Sequence, residues 1–201
     1  MRRAVLALLL PVGGACAQAA DPRTPSEANF RPAINAHLAE NPKCVGEPAW
    51  MLPADLPDAG GMSREYGALV GRLRTMVRLG MMAAEPGEVG TRHSLTELGR
   101  KAYRTFPAGR WDPRRPVGAF CYGTAEAAGV VRWTEPAEGL GQVTTKVTYL
   151  RRLREAASWA EDAELRRQFP YVERELATRT APAEDSLTLV LASDGWRALG
   201  R

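Results

Sequence analysis

A chain of 201 residues with 45% hydrophobic and 25% charged side chains can bury a core of its own, in one domain or two small ones, which excludes an intrinsically disordered segment. The formal charge is +4, but Arg2 and Arg3 lie in the first nineteen residues, and without them it falls to +2, so most of the basicity is not a nucleic-acid footprint. No apolar run is long enough to span a bilayer.

The first nineteen residues have the order of an export signal. Arg2 and Arg3 precede an apolar stretch over residues 4–12, and small residues then offer A-x-A cleavage sites at 15–17 and 17–19. Cys16 is a candidate for lipidation: small residues precede it, although Gly13 stands where a lipoprotein signal usually has Leu. Residues 20–29 are polar and Pro-containing, a flexible leader. A helix is expected over 30–40, with Pro32 in its first turn, and Asn41-Pro42 ends it. Residues 41–62 hold Pro42, Pro48, Pro53, Pro57 and Gly60-Gly61, which predicts a loop with a short strand at 49–52.

Ser63 caps the next expected helix, whose apolar stripe is Tyr66, Leu69, Val70, Leu73, Met76 and Val77. Arg64, Arg72, Arg74 and Arg78 lie largely off that stripe, and Gly80 stops the helix. A hairpin follows, with strands at 81–85 and 91–95. Thr96 or Ser94 caps a further helix carrying Leu98, Ala102 and Phe106 on one face. After Pro107 comes a turn-rich linker containing Trp111, and the periodicity becomes two. Strands are expected at 119–122, 130–135 and 143–149, the last two forming a hairpin. Residues 159–168 read as a short helix, interrupted by Pro170, and residues 169–178 suit helix or strand. A final strand alternates Leu187, Leu189 and Leu191 inward, before an Asp194-Gly195 turn and Trp196.

Residues 69–103, with "LVGRLRTMVRLGMM" followed by "HSLTELGRKAY", resemble the core of winged-helix transcription regulators of the MarR-like kind. The resemblance implies a recognition helix running into a wing hairpin. It departs from that family where a positioning helix should precede the recognition helix, because "MLPADLPDAGGM" occupies that place. The expected fold is α+β: a winged-helix-like N-terminal lobe over 30–106 joined to an antiparallel β-rich lobe with a short helix over 117–201.

Cys44 and Cys121 are the two cysteines beyond the signal, and in an oxidising compartment an even pair reads as a disulfide. Closing a loop across 77 residues contributes about 4 kcal/mol by chain entropy. His37 and His93, the only histidines, are not at ligand spacing from a cysteine, and no metal or cofactor is expected. No G-x-S-x-G elbow or phosphate loop appears, and no nucleophile pairs with His93. The expected function is therefore that of a non-catalytic cell-envelope protein, periplasmic, secreted or lipid-anchored, whose partner is another envelope protein. Its candidate binding surface comprises Arg64, Arg72, Arg74, Arg78, Trp111 and Trp133. The alternatives are a winged-helix DNA-binding regulator and a small periplasmic hydrolase.

Overall fold

The computed structural model describes residues 21–47, 50–58, 63–108, 112–139 and 141–200; residues 1–20 with Cys16, and the linker residue Trp111, lie outside them. The chain runs through α1 (Glu27–Glu40), β1 (Lys43–Glu47), β2 (Ala54–Leu56), α2 (Arg64–Arg78), β3 (Met82–Gly87), β4 (Gly90–Leu95), α3 (Glu97–Ala102) and β5 (Tyr103–Phe106). It continues through β6 (Val117–Trp133), β7 (Ala137–Gly139), β8 (Gln142–Ala156), a 3-10 turn at Ser158–Glu161, α4 (Ala163–Gln168), α5 (Pro170–Ala177), β9 (Ala183–Ala192) and β10 (Gly195–Ala198). Helices and a large curled antiparallel sheet together make a mixed α+β fold.

α1 begins three residues before its expected start at Phe30. Ser26 accepts the Asn29 N–H at 3.3 Å and Glu27 suits the positive helix end, which outweighs the preference of Pro32 for a first turn. The segment before it is tied down: Trp196 Nε1 donates to the Arg23 carbonyl at 3.1 Å, and Asn29 Nδ2 donates to the carbonyls of Asp21 and Thr24.

The seven-stranded sheet has the order β1-β6-β8-β9-β10, with β5 also on β6 and β7 also on β8. The segment before Pro107 thus gives the sheet two strands, β1 and β5. β1 replaces the loop expected after Asn41, and of the strand expected at 49–52 the described residues 50–52 are not strand: Trp50 is fully buried between β1 and β2. Cys44 and Val45 are buried by tertiary contacts that the surrounding prolines obscure at the sequence level. The strands expected at 119–122 and 130–135 are one 17-residue strand. Its middle, "GTAEAAG", is mostly Gly and Ala and displays no hydrophobic period, and three register shifts bend it there and beyond. The helix after Thr96 stops at Ala102, and Phe106 lies in β5 instead of continuing the Leu98 face. Tertiary pairing decides this: β6 offers a ladder, and the Tyr103 hydroxyl donates to the Trp50 carbonyl at 2.5 Å. Residues 170–177 are helix, with Pro170 in its first turn.

On β8 the inward row is Thr145, Val147, Tyr149, Arg151 and Leu153. α1 covers one end of that row, where Phe30, Ile34 and Leu38 pack with Val147, Tyr149, Leu189 and Trp196. α2, α4 and α5 cover the other end, where Leu73, Met76, Leu165, Phe169 and Val172 pack with Val45, Trp50, Phe120, Tyr122 and Leu153. Full burial of each large side chain stabilises the fold by about 1.5–3 kcal/mol relative to exposure. α1 also shields a sheet edge. Asn35 Oδ1 accepts the Ala127 N–H at 2.8 Å and Glu27 Oε1 the Val130 N–H at 3.5 Å, so β6 offers neither donor to another strand.

The second sheet has the order β2-β4-β3. The hairpin expected over 81–95 is present, with its turn tightened to Glu88-Val89. Thr96, not Ser94, caps α3, accepting the Gly99 N–H at 2.9 Å. Gly80 takes φ +73° to reverse the chain after α2, the left-handed conformation a helix stop uses.

Candidate functional site

Of the residues singled out from sequence, Cys44 and Cys121 meet. They are register partners on β1 and β6, with sulfurs 2.10 Å apart. The four arginines do not act as one free basic patch. Arg72 pairs with Glu47 of β1 and lies 5.2 Å from the Phe169 ring centroid, while Arg78 Nη2 donates to Asp162 Oδ1 at 2.6 Å. Arg64 and Arg74 are exposed. Trp133 is 41% exposed at the end of β6, two residues from Val131 at 44%. Its ring is held edge-on against Phe30 at 5.3 Å, so it is an anchored aromatic rather than a loose one.

The strongest concentration of polar groups lies elsewhere, where the two core regions meet. Arg151 stands in the inward row of β8 between Tyr149 and Leu153, with its side chain 12% exposed. A lone buried guanidinium would cost several kcal/mol, so the fold surrounds it with acids. Glu175 of α5 binds it from one side and Asp185 of β9 from the other, the latter at 3.1 Å. Lys43 of β1 reaches the same Glu175 Oε2 at 3.7 Å. Burial works against the charge of Arg151, but Glu175 and Asp185 hold its pKa above the usual value. α5 is fixed over this spot by Thr178, whose hydroxyl accepts the Leu153 N–H at 3.0 Å and donates to the Glu175 carbonyl at 2.6 Å.

Two clefts open beside this belt. One of about 290 Å³ is lined by Asn41, Pro42, Lys43, Tyr122, Tyr171 and Glu175 among others. A second of about 520 Å³ shares Pro42 and Tyr122 and adds Arg104, Cys121 and Glu155. The Tyr122 side chain is 3% exposed, and its hydroxyl makes no hydrogen bond among the described residues. Burial first, and the charge of Glu175 second, raise its pKa, so it stays a protonated donor at neutral pH. Burial and Glu47 likewise push Tyr171 up to about 12. The belt contains two bases and two acids that neutralise each other. Of these charged groups, Lys43 and Glu175 line the smaller cleft, beside Tyr122 and Tyr171.

Lys43, Tyr122, Arg151, Tyr171, Glu175 and Asp185 are not legible as a group in sequence, because they come from five separate elements. One signal was available: Arg151 breaks the apolar row Val147, Tyr149, Leu153, and a charge in an inward row needs partners. His93, buried in β4, has no hydrogen-bond partner at Nδ1 among the described residues, and burial lowers its pKa against an opposing backbone contact with Thr91. Among the described residues no group of three His, Cys, Asp or Glu is placed to hold a metal ion, and no helix is long and apolar enough to cross a membrane. Compared with known proteins, the chain matches no family model, no curated protein and no solved structure.

Proposed function

We propose that this is an exported cell-envelope protein, periplasmic or lipid-anchored through Cys16, that acts by binding another envelope protein rather than by catalysis. The observation that carries the reading is Trp133: a large aromatic, two-fifths exposed, held rigid by Phe30 and close in sequence to exposed Val131. Binding energy concentrates on such aromatics, because they bury much area while losing little side-chain freedom. The Arg2-Arg3, apolar and small-residue order of the N-terminus supports export, and the Cys44–Cys121 bond suits an oxidising compartment.

Residues 63–106 are read as a winged-helix-like module kept for packing. Their helix directs Arg72 to Glu47 and Arg78 to Asp162, both within the same chain, which supports a structural role over duplex binding. The test replaces Trp133 with a photo-crosslinking amino acid in cells that make the full chain. A discrete adduct with an envelope protein is expected, with no such adduct from position 152 on the same sheet. Absence of any adduct at 133, or an unprocessed N-terminus in the mature protein's mass, would overturn the proposal.

A further inference from the structure

We propose that the paired clefts at Pro42 and Tyr122 bind a neutral pyranose sugar unit. This inference concerns a different surface from Trp133 and does not use the protein-binding reading.

The first observation is the Tyr122 hydroxyl. Tyr122 is 3% exposed and lines both clefts, and no described residue hydrogen-bonds its hydroxyl. The hydroxyl is not sealed from solvent, so as an unpartnered donor and acceptor it is available to a ligand. The second is Glu175. Its Oε2 takes both Arg151 and Lys43, while Oε1 receives no hydrogen bond among the described residues. A free acceptor therefore lies beside an ammonium donor. A ligand hydroxyl can accept from Lys43 and donate to Glu175 Oε1 at once, which a carboxylate, a phosphate or an ammonium cannot.

Charge points the same way. The smaller cleft is lined by one cation, Lys43, and one anion, Glu175, and the larger adds Arg104 and Glu155, so neither offers an excess of sign to a charged ligand. Pro42, Phe106 and Tyr171 supply apolar walls to the smaller cleft, against which the C–H face of a sugar ring packs. Tyr171 is itself set edge-on to Phe169 at 5.8 Å. An extended peptide has less to gain here. β1 pairs one side of β6 as far as Gly123, β5 and β8 pair the other, and the Tyr122 carbonyl already accepts the Ala157 N–H at 2.7 Å. β6 therefore has no open ladder at the cleft for a peptide strand to join, and the outer edges of β1 and β5 are the ones the peptide array tests.

The test uses the full chain with its disulfide intact, first on an array of neutral and acidic glycans, with a peptide array in parallel. Neutral glycans are expected to be marked, and the binding is then titrated in solution with the free form of the strongest. Tyr122→Phe, which keeps the ring, and Tyr171→Ala, which removes a partly exposed one, should each weaken that affinity about tenfold with the thermal midpoint within a few degrees of the parent. Leu199→Ala, an exposed residue outside both clefts, should leave it unchanged. Marking of acidic glycans only, of peptides only, or of nothing overturns the proposal, as does neutral-glycan binding that survives both tyrosine changes.

Discussion

At Gly99 an added Cβ would overlap the Met81 carbonyl oxygen, because α3 is drawn against the start of the hairpin by the Thr96 cap. Ala is the better helix former by about 1 kcal/mol, yet the overlap involves backbone and cannot be relieved by turning a side chain. Gly99→Ala is therefore expected to destabilise the fold by about 2 kcal/mol, read as a lower urea midpoint. His93 acts through solvation. Its folded pKa lies below the ordinary histidine value of about 6.5, so the unfolded chain takes up a proton that the folded chain refuses. Stability is complete above that value and falls as pH drops through it. Urea midpoints at pH 7.5 and pH 5.5 should show the decline, and His93→Phe should flatten it; an equal decline in the variant would assign it to other groups.

At the scale of elements, each stop and cap has a local cause. Ser63, Thr96 and Asp162 accept the N–H three residues on, and all three are the short polar side chains that compete for that role. The Ser63 and Thr96 caps are readable in sequence, as are the α2 stripe and the hairpin, whereas Asp162 lies inside the single helix expected over 159–168. What local pattern misrepresents is length. β6 spans two expected strands because small residues in its middle carry no amphipathic signal, and α3 yields to β5 after six residues because Tyr103 has a backbone partner at Trp50. The disulfide belongs to this scale as well, since it clamps β1 to β6 across 77 residues. Replacing both cysteines, Cys44→Ser with Cys121→Ser, is expected to remove about 4 kcal/mol, measured as the difference in unfolding free energy from the oxidised parent.

For the whole molecule, the belt of Arg151, Glu175, Asp185 and Lys43 joins four elements from opposite ends of the chain at the seam between two packed regions. Removing one partner leaves the others under-compensated, whereas removing a matched pair does not. Arg151→Met should cost about 3 kcal/mol in chemical denaturation at neutral pH. Arg151→Met with Glu175→Gln should recover a measurable part of that loss; no recovery would mean that the arginine acts through packing alone. The same seam holds the clefts, so the proposed ligand site and the junction of the two packed regions depend on one set of charges.

The sequence by itself determined α2 with its Ser63 cap, the 81–95 hairpin, the Thr96 cap and the cysteine pair, because each rests on contacts within a few residues or on a two-member inventory. It also indicated a mixed fold, with helices early and strands late. Only the tertiary structure decided that β1 and β5 join the main sheet, that β6 is continuous, and that Tyr122 and Glu175 face one cleft. Those outcomes depend on pairings between distant residues, and a strand or a buried charge acquires its partner only when the chain has closed around it.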